Sequence, residues 1–177
     1  MVTLLKNMQE VSRSHSTRST GRGRGELSHK QTLSPWYVVG FVDGEGSFSV
    51  SITHHRTLKT RIEISPDFSI ELRKDDEEIL KRIQTLLGIG TIYYVKFRNN
   101  AWNDHAKLKV RSVKELHEII IPFFRTYPLQ AKKAKVFELF AQIVEMMMKK
   151  EHLSYGGIQK IKKLRDQMQV LGKKYKG

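Results

Sequence analysis

Seven consecutive residues, Ser47-Phe48-Ser49-Val50-Ser51-Ile52-Thr53, alternate polar and apolar without a break, the pattern of a β-strand with one buried and one open face. Phe48, Val50 and Ile52 are therefore assigned to a core. The preceding stretch has a different character. Ser34-Pro35 followed by apolar residues from Trp36 to Val42 predicts a short helix, with Ser34 as its cap and Pro35 in its first turn. That helix is apolar nearly all round, so it should be covered on several sides, by the core or by another subunit. Helix gives way to strand across Asp43-Gly44-Glu45-Gly46.

Beyond this pivot, a second extended stretch runs from Thr60 to Leu72 around Ile62, Ile64, Phe68, Ile70 and Leu72, interrupted by Pro66. It is either two strand pieces or one bent strand. Asp75 or Asp76 caps a helix whose Ile79, Ile83, Leu86 and Leu87 recur at helical spacing until Gly88 stops it. Strand patterns return at Thr91 to Phe97 and at His105 to Arg111. Ser112-Val113-Lys114-Glu115 fits a capping box, opening a helix expected to close at Pro122. Pro128 introduces a longer helix from about Leu129 to Lys150, and a last basic helix spans about Gly157 to Leu171.

This order predicts an α+β fold, αββαββα with further helices, in which the helices share one face of a four-stranded antiparallel sheet. A single domain is expected at 34–171. Residues 1–33, rich in Ser, Thr, Arg and Gly and poor in large apolar groups, read as a mobile tail of net charge +4. Such a tail suits non-specific DNA contact or an organellar transit peptide. No strand pattern precedes the GRGRG run at Gly21 to Gly25, which argues against a nucleotide-binding loop. Residues 172–177 form a short basic C-terminal tail.

The other sheet face is left polar, and here composition matters. Thirty-two Lys and Arg against 18 Asp and Glu give the 177 residues a formal charge of +14, which points to a polyanionic partner. On the first strand the open face would show Ser47, Ser49, Ser51 and Thr53. Arg61, Glu63, Ser69, Glu71 and Arg73 would extend it on the second stretch, and His105, Lys107, Lys109 and Arg111 on the fourth strand. Donors and cations in this mixture suit base reading. Lys74, Lys96 and Arg98 join the candidate DNA-binding residues at the margins.

Several chemistries are excluded. With no cysteine, disulfides, thiolate nucleophiles and Cys-based zinc sites are ruled out. His54 and His55 are adjacent, and His105 and His117 lack ligand spacing. The longest apolar runs, such as Ile119 to Phe124, fall far short of the roughly 20 residues of a membrane span. Residues 1–12 lack the apolar middle of a secretory signal. An intracellular setting is expected, either a bacterial cytoplasm or an organelle.

Gly40 and Gly44 lie four apart on one face of the first helix, so two such helices could approach closely there. Glu45 at the helix end opposes the helix dipole and therefore calls for a compensating charge, which a divalent cation supplies. The segment Val38-Val39-Gly40-Phe41-Val42-Asp43-Gly44-Glu45-Gly46, followed by SFSV, resembles the motif that names the LAGLIDADG homing endonucleases. The resemblance extends through FSIELRKDDEEILKRIQTLLGIG, KLKVRSVKELHEIIIPFF and YPLQAKK, covering about residues 34–165.

The resemblance implies a saddle-shaped sheet and a central interface between motif helices, here Val39, Gly40, Asp43 and Gly44. It implies that Glu45 binds Mg²⁺ near the scissile phosphates together with the Gly44 carbonyl, while Asp43 satisfies backbone groups at the helix end. A lysine after the YPL-like segment would support the hydrolytic water or transition-state charge; Lys133 is the better match and Lys132 its near rival. Arg73 and Lys74 occupy the region of a further polar residue, where the Gln frequent in relatives is absent. The implied activity is metal-dependent hydrolysis of duplex DNA at a specific site. One motif in the chain implies a homodimer, and hence a long pseudo-palindromic target. The alternative is a non-cleaving protein of the same fold, either an RNA maturase that assists intron splicing or a DNA-binding regulator.

Overall fold

The computed structural model describes residues 33–95 and 104–173. The expected DNA-binding candidates Lys96 and Arg98, nearly all of the N-terminal tail and residues 174–177 lie outside them. In chain order the elements are α1 (Pro35–Glu45), β1 (Gly46–His54), β2 (Ile62–Arg73), α2 (Glu77–Leu87), β3 (Thr91–Val95), β4 (His105–Val110), α3 (113–126), α4 (Lys133–Met148) and α5 (Tyr155–Lys173). The four strands form one antiparallel sheet in the order β1-β2-β4-β3. Among the described residues, no helix is long and apolar enough to cross a membrane.

Alternation in β1 does what the sequence suggests. Phe48 and Val50 are buried, and Phe48 is the hub of an aromatic cluster, with ring centroids 5.2 Å from Phe68, 5.7 Å from Phe124 and 5.3 Å from both Phe137 and Phe140. Each aromatic pair adds about 0.5–1.5 kcal/mol beyond its buried area. The strand that leaves the acidic pivot is thereby pinned to β2, α3 and α4 within three residues of Glu45. α2 turns Leu80, Ile83 and Leu87 into the core and ends at Gly88, whose left-handed conformation (φ 70°) closes the helix through its N–H to the Gln84 carbonyl at 2.8 Å.

Several boundaries correct the expectations. β2 is one strand and begins at Ile62, so Pro66 sits inside it, opposite Val50. Pro66 is tolerated because β4 ends at Val110, opposite Phe68, leaving β2, among the described residues, a neighbour on one side only at that level. The helix opened by Ser112, whose hydroxyl accepts the Glu115 N–H at 3.3 Å, does not close at Pro122. It passes through a π-helical segment, Leu116–Ile120, and continues as α-helix to Thr126. Proline lacks an N–H and crowds the carbonyl four residues back, and a widened preceding turn relieves both.

α4 starts at Lys133 rather than Leu129. Leu129 is instead buried, and the next two residues form a loop whose amides are used elsewhere. Leu33 packs in the core, and residues 172–173 are helical.

Candidate active site and nucleic-acid face

α1 is two-faced rather than evenly covered. Pro35, Val38, Val39 and Val42 are buried within the subunit, whereas Trp36 and Tyr37 are about half exposed and Gly40 and Gly44 are exposed. Val39, expected at the subunit interface, belongs to the chain's own core. Ser34 occupies the cap position through its backbone carbonyl, which accepts from Tyr37 and Val38, with no side-chain cap bond.

The helix runs through Glu45, and Gly46 closes it with an N–H to the Val42 carbonyl. A Cβ at Gly46 would lie 2.5 Å from Val42 Cγ1 and 2.8 Å from the Val42 carbonyl oxygen, so only glycine lets β1 leave the helix here.

Three groups meet at this helix end. Asp43 Oδ2 accepts the backbone N–H groups of Gln130 at 2.8 Å and Ala131 at 3.2 Å, tying α1 to the loop that leads into α4. The backbone groups it satisfies thus belong to a segment nearly ninety residues away. Lys133 Nζ donates to the carbonyls of Val42 at 2.7 Å and Gly44 at 3.2 Å. Burial pulls the Lys133 ammonium below the usual lysine pKa, while the Asp43 and Glu45 carboxylates oppose that fall. Glu45 itself is exposed, and its carboxylate forms no hydrogen bond or ion pair with the other described residues. Of the two lysine candidates, Lys133 is the one lodged against the motif helix; Lys132 is exposed in the turn before α4.

Strand register places most of the expected donors on the open sheet face. Ser47 pairs with Ser69, Ser51 with Ser65 and Thr53 with Glu63; across β2, Ser69, Glu71 and Arg73 pair with Lys109, Lys107 and His105. Three of the candidates are placed differently from expectation. Arg61 precedes β2, in the turn after β1 with φ 53°, and Arg111 follows the end of β4. Ser69 is on the open face but only 4% exposed, overshadowed by its neighbours.

Arg73 bonds Asp75 at 2.7 Å, and Lys74 lies 5.8 Å from the Tyr94 ring centroid. Extending the β1–β2 register by one residue puts Glu71, not Arg73, level with Glu45. Arg73 is therefore about 7 Å further along the strand, and the expected auxiliary role of Arg73 and Lys74 has no support in the register.

Sequence reading missed Asp67, which is 8% exposed, accepts from Ser49 Oγ at 2.9 Å and lies 3.3 Å from Lys109 Nζ. The two-residue period backwards from Ser69 points to it, but Pro66 obscures the pattern. Thr91, Tyr93 and Val95 of β3 complete the same face, through pairing with Lys109, Lys107 and His105. Glu71 accepts from Lys107 at 2.9 Å and contacts His105 at 3.1 Å. The Lys107 hydrogen bond, aided by His105, holds the Glu71 carboxyl below its ordinary range.

Comparison with known proteins agrees with this geometry. The family model described as LAGLIDADG endonuclease matches residues 38–144, from inside α1 to within α4. A probable intron-encoded endonuclease of Neurospora crassa is 30% identical over 139 residues, 78% of this chain and 25% of its own length. The chain spans about a quarter of the length of its Podospora anserina and Neurospora crassa relatives.

Among solved structures, I-SmaMI bound to an uncleaved DNA target in the presence of calcium ions superposes with a TM-score of 0.69 at 36% identity, covering 75% of this chain and 44% of that one. The homing endonuclease I-TnaI gives 0.69 at 30% identity, covering 81% of this chain and 99% of that one. An acid-bearing helix end braced by a lysine, a four-stranded antiparallel sheet with a polar face, and a match over well more than half the residues converge: the chain belongs to the LAGLIDADG endonuclease family.

Proposed function

We propose that this chain is a site-specific DNA endonuclease, cutting duplex DNA by metal-dependent hydrolysis as a homodimer. The observation that carries the reading is the end of α1, where an uncommitted, exposed carboxylate stands beside a lysine ammonium that is bonded to carbonyls rather than to that acid.

A divalent cation suits this donor set. Glu45 and the Gly44 carbonyl are hard oxygens, and a carbonyl oxygen has a second lone pair beyond the one Lys133 engages. No three His, Cys, Asp or Glu side chains gather among the described residues, so most of the six oxygens Mg²⁺ takes would be those of water and phosphate. Bound there, Mg²⁺ would act as a Lewis acid and lower the pKa of water for attack on a phosphodiester. The chain's own contribution is positional. Gly46 and Phe48 fix where Glu45 sits, Asp43 locks the α4 entry against α1, and that lock delivers the Lys133 ammonium to where phosphate charge develops.

Duplex cleavage needs two such ends. A Cβ at Gly40 or Gly44 would meet nothing within 4 Å inside the subunit; what demands glycine there is a second helix packed close against exposed Trp36, Tyr37 and Gly40. A second copy of the chain supplies it, and the pair of sheet faces then reads a pseudo-palindromic site. Relatives named for introns in Podospora anserina and Neurospora crassa support reading this chain as intron-encoded as well.

A library of randomised duplexes incubated with Mg²⁺, with the cut ends sequenced, tests the reading. The wild type should cut a narrow set of sites, and Glu45→Gln should bind them and leave them intact. Cleavage by Glu45→Gln at the wild-type rate, or no cutting of any duplex, would overturn it. Gly40→Leu should fold normally yet shift the protein toward monomer by about tenfold or more, as judged by sedimentation.

A further inference from the structure

A cavity of about 1030 Å³ opens beside the end of α1. Its wall combines Asp43, Gly44 and Lys133 of the site with Arg165, Met168 and Gln169 of α5. Four successive residues of β1, 47–50, also line it. Side chains alternate along a strand, so contact with four in a row is contact with the strand's edge. Among the described residues β1 is the terminal strand of the sheet and has a neighbour on one side only. That edge, unpaired among the described residues, therefore offers N–H groups to the cavity.

α5 presents a matching stripe, because residues 165, 168, 169 and 172 recur at helical spacing. Arg165 is the charged member. Its Nε is shielded from solvent and has no hydrogen-bond partner among the described residues; the neighbouring Asp166 carboxylate lies 3.1 Å away but is not aligned to accept. Lys133, the cavity's inner cation, is committed to the Val42 and Gly44 carbonyls. Asp43 uses Oδ2 for the loop amides. A guanidinium on a side chain 26% exposed, on the cavity side of α5, an amide side chain one turn further and an open strand edge make an anion-binding surface, and a phosphodiester fits the outer fork of the guanidinium.

We infer that Arg165, assisted by Gln169, holds a backbone phosphate of the duplex next to the one cleaved, gripping it from the α5 side while the open sheet face reads the bases. Arg165 is on this account a positioning residue, and the inference rests on the DNA-cleaving reading above.

Binding of wild type, Arg165→Met and Arg165→Lys to a pool of randomised duplexes is measured across salt concentrations with Ca²⁺, alongside Mg²⁺ cleavage kinetics on a selected target. In a homodimer the substitution removes one phosphate contact from each subunit, which should make the plot of log affinity against log salt shallower by about 2 and weaken binding about a hundredfold. Arg165→Met should raise KM more than it lowers kcat, and Arg165→Lys should restore the slope, since it keeps the charge. Gln169→Ala should weaken binding without changing the slope.

An unchanged slope in Arg165→Met overturns the inference. If melting temperature falls while the slope holds, Arg165 is an internal bridge toward the buried Asp43 Oδ1. If oligomeric state changes instead, it holds a second copy. Should the wild type cut, Glu45→Gln fail to cut and Arg165→Met match the wild type in every assay, this inference alone falls. Should the wild type neither bind nor cut duplex DNA, both fall together.

Discussion

The end of α1 and the open face of the sheet handle charge in opposite ways. Across the sheet, acids and cations are matched at short range: Asp67 with Lys109 at 3.3 Å, and Glu71 with Lys107 at 2.9 Å and His105 at 3.1 Å. At the helix end the acid and the cation are neighbours that do not pair. Lys133 is drawn to carbonyls, and Glu45 is left uncommitted. On the proposed function, pairing on the face would hold long side chains in place, lowering the entropy cost of meeting a base edge and favouring selectivity over raw affinity. On the same reading, leaving the carboxylate unpaired keeps its oxygens open to a cation that would arrive with the substrate.

The comparison breaks most readily at Lys133. If its ammonium is placed for chemistry, Lys133→Met should lower kcat by about a hundredfold or more with little change in KM, measured by single-turnover cleavage. A loss confined to KM would make it a mere phosphate contact. The same variant reads the electrostatics. Lys133 has a folded pKa depressed by burial, so the unfolded chain holds its proton more tightly, and stability should rise as pH climbs through that depressed value toward 10.5. Denaturant titrations across this range should show the wild type gaining on Lys133→Met; parallel curves would mean that the ammonium is not desolvated.

Removing Asp43 tests the lock that delivers the lysine. Asp43→Ala leaves the Gln130 and Ala131 amides without their acceptor, a loss of about 2–3 kcal/mol in unfolding free energy. Cleavage should fall with it, because α4 is no longer fixed against α1. A variant of normal stability that still lost activity would give Asp43 a direct part in the reaction.

The smallest effect is expected on the sheet. Glu71→Gln releases Lys107 and His105 from their acid, so binding to arbitrary duplexes should tighten a few-fold and its salt dependence steepen. Discrimination between selected and arbitrary targets should shrink. Because Glu71 is held below its ordinary pKa of 4.5, the wild type should also lose stability relative to this variant as pH falls through that lowered value. Unchanged discrimination would show that the pairing is incidental.

How far the sequence reaches can be judged residue by residue. The strand after Gly46, the helix closed by Gly88 and the capping serine at 112 are all visible in the chain, because alternation, left-handed glycine and side-chain capping act within a few residues. Asp67 escaped notice because Pro66 breaks the pattern that would place it. Passage of α3 through Pro122 depends on a π-helical segment that no local propensity announces. Lys132 and Lys133 cannot be separated by pattern, since adjacent helical residues differ by about 100° in direction. Only the docking of α4 against α1, fixed by Asp43, selects one.

Sequence alone determined the helix-to-strand pivot, the polar and apolar sheet faces and the identity of the acid at the helix end, since all three follow from period and chirality over short spans of backbone. Tertiary structure decided which lysine meets that helix end, which cations on the sheet are already paired and that α5 and the β1 edge line one cavity. Those are contacts between residues tens of positions apart, set by how packed layers come together around the phenylalanine cluster, and no short-range pattern encodes them.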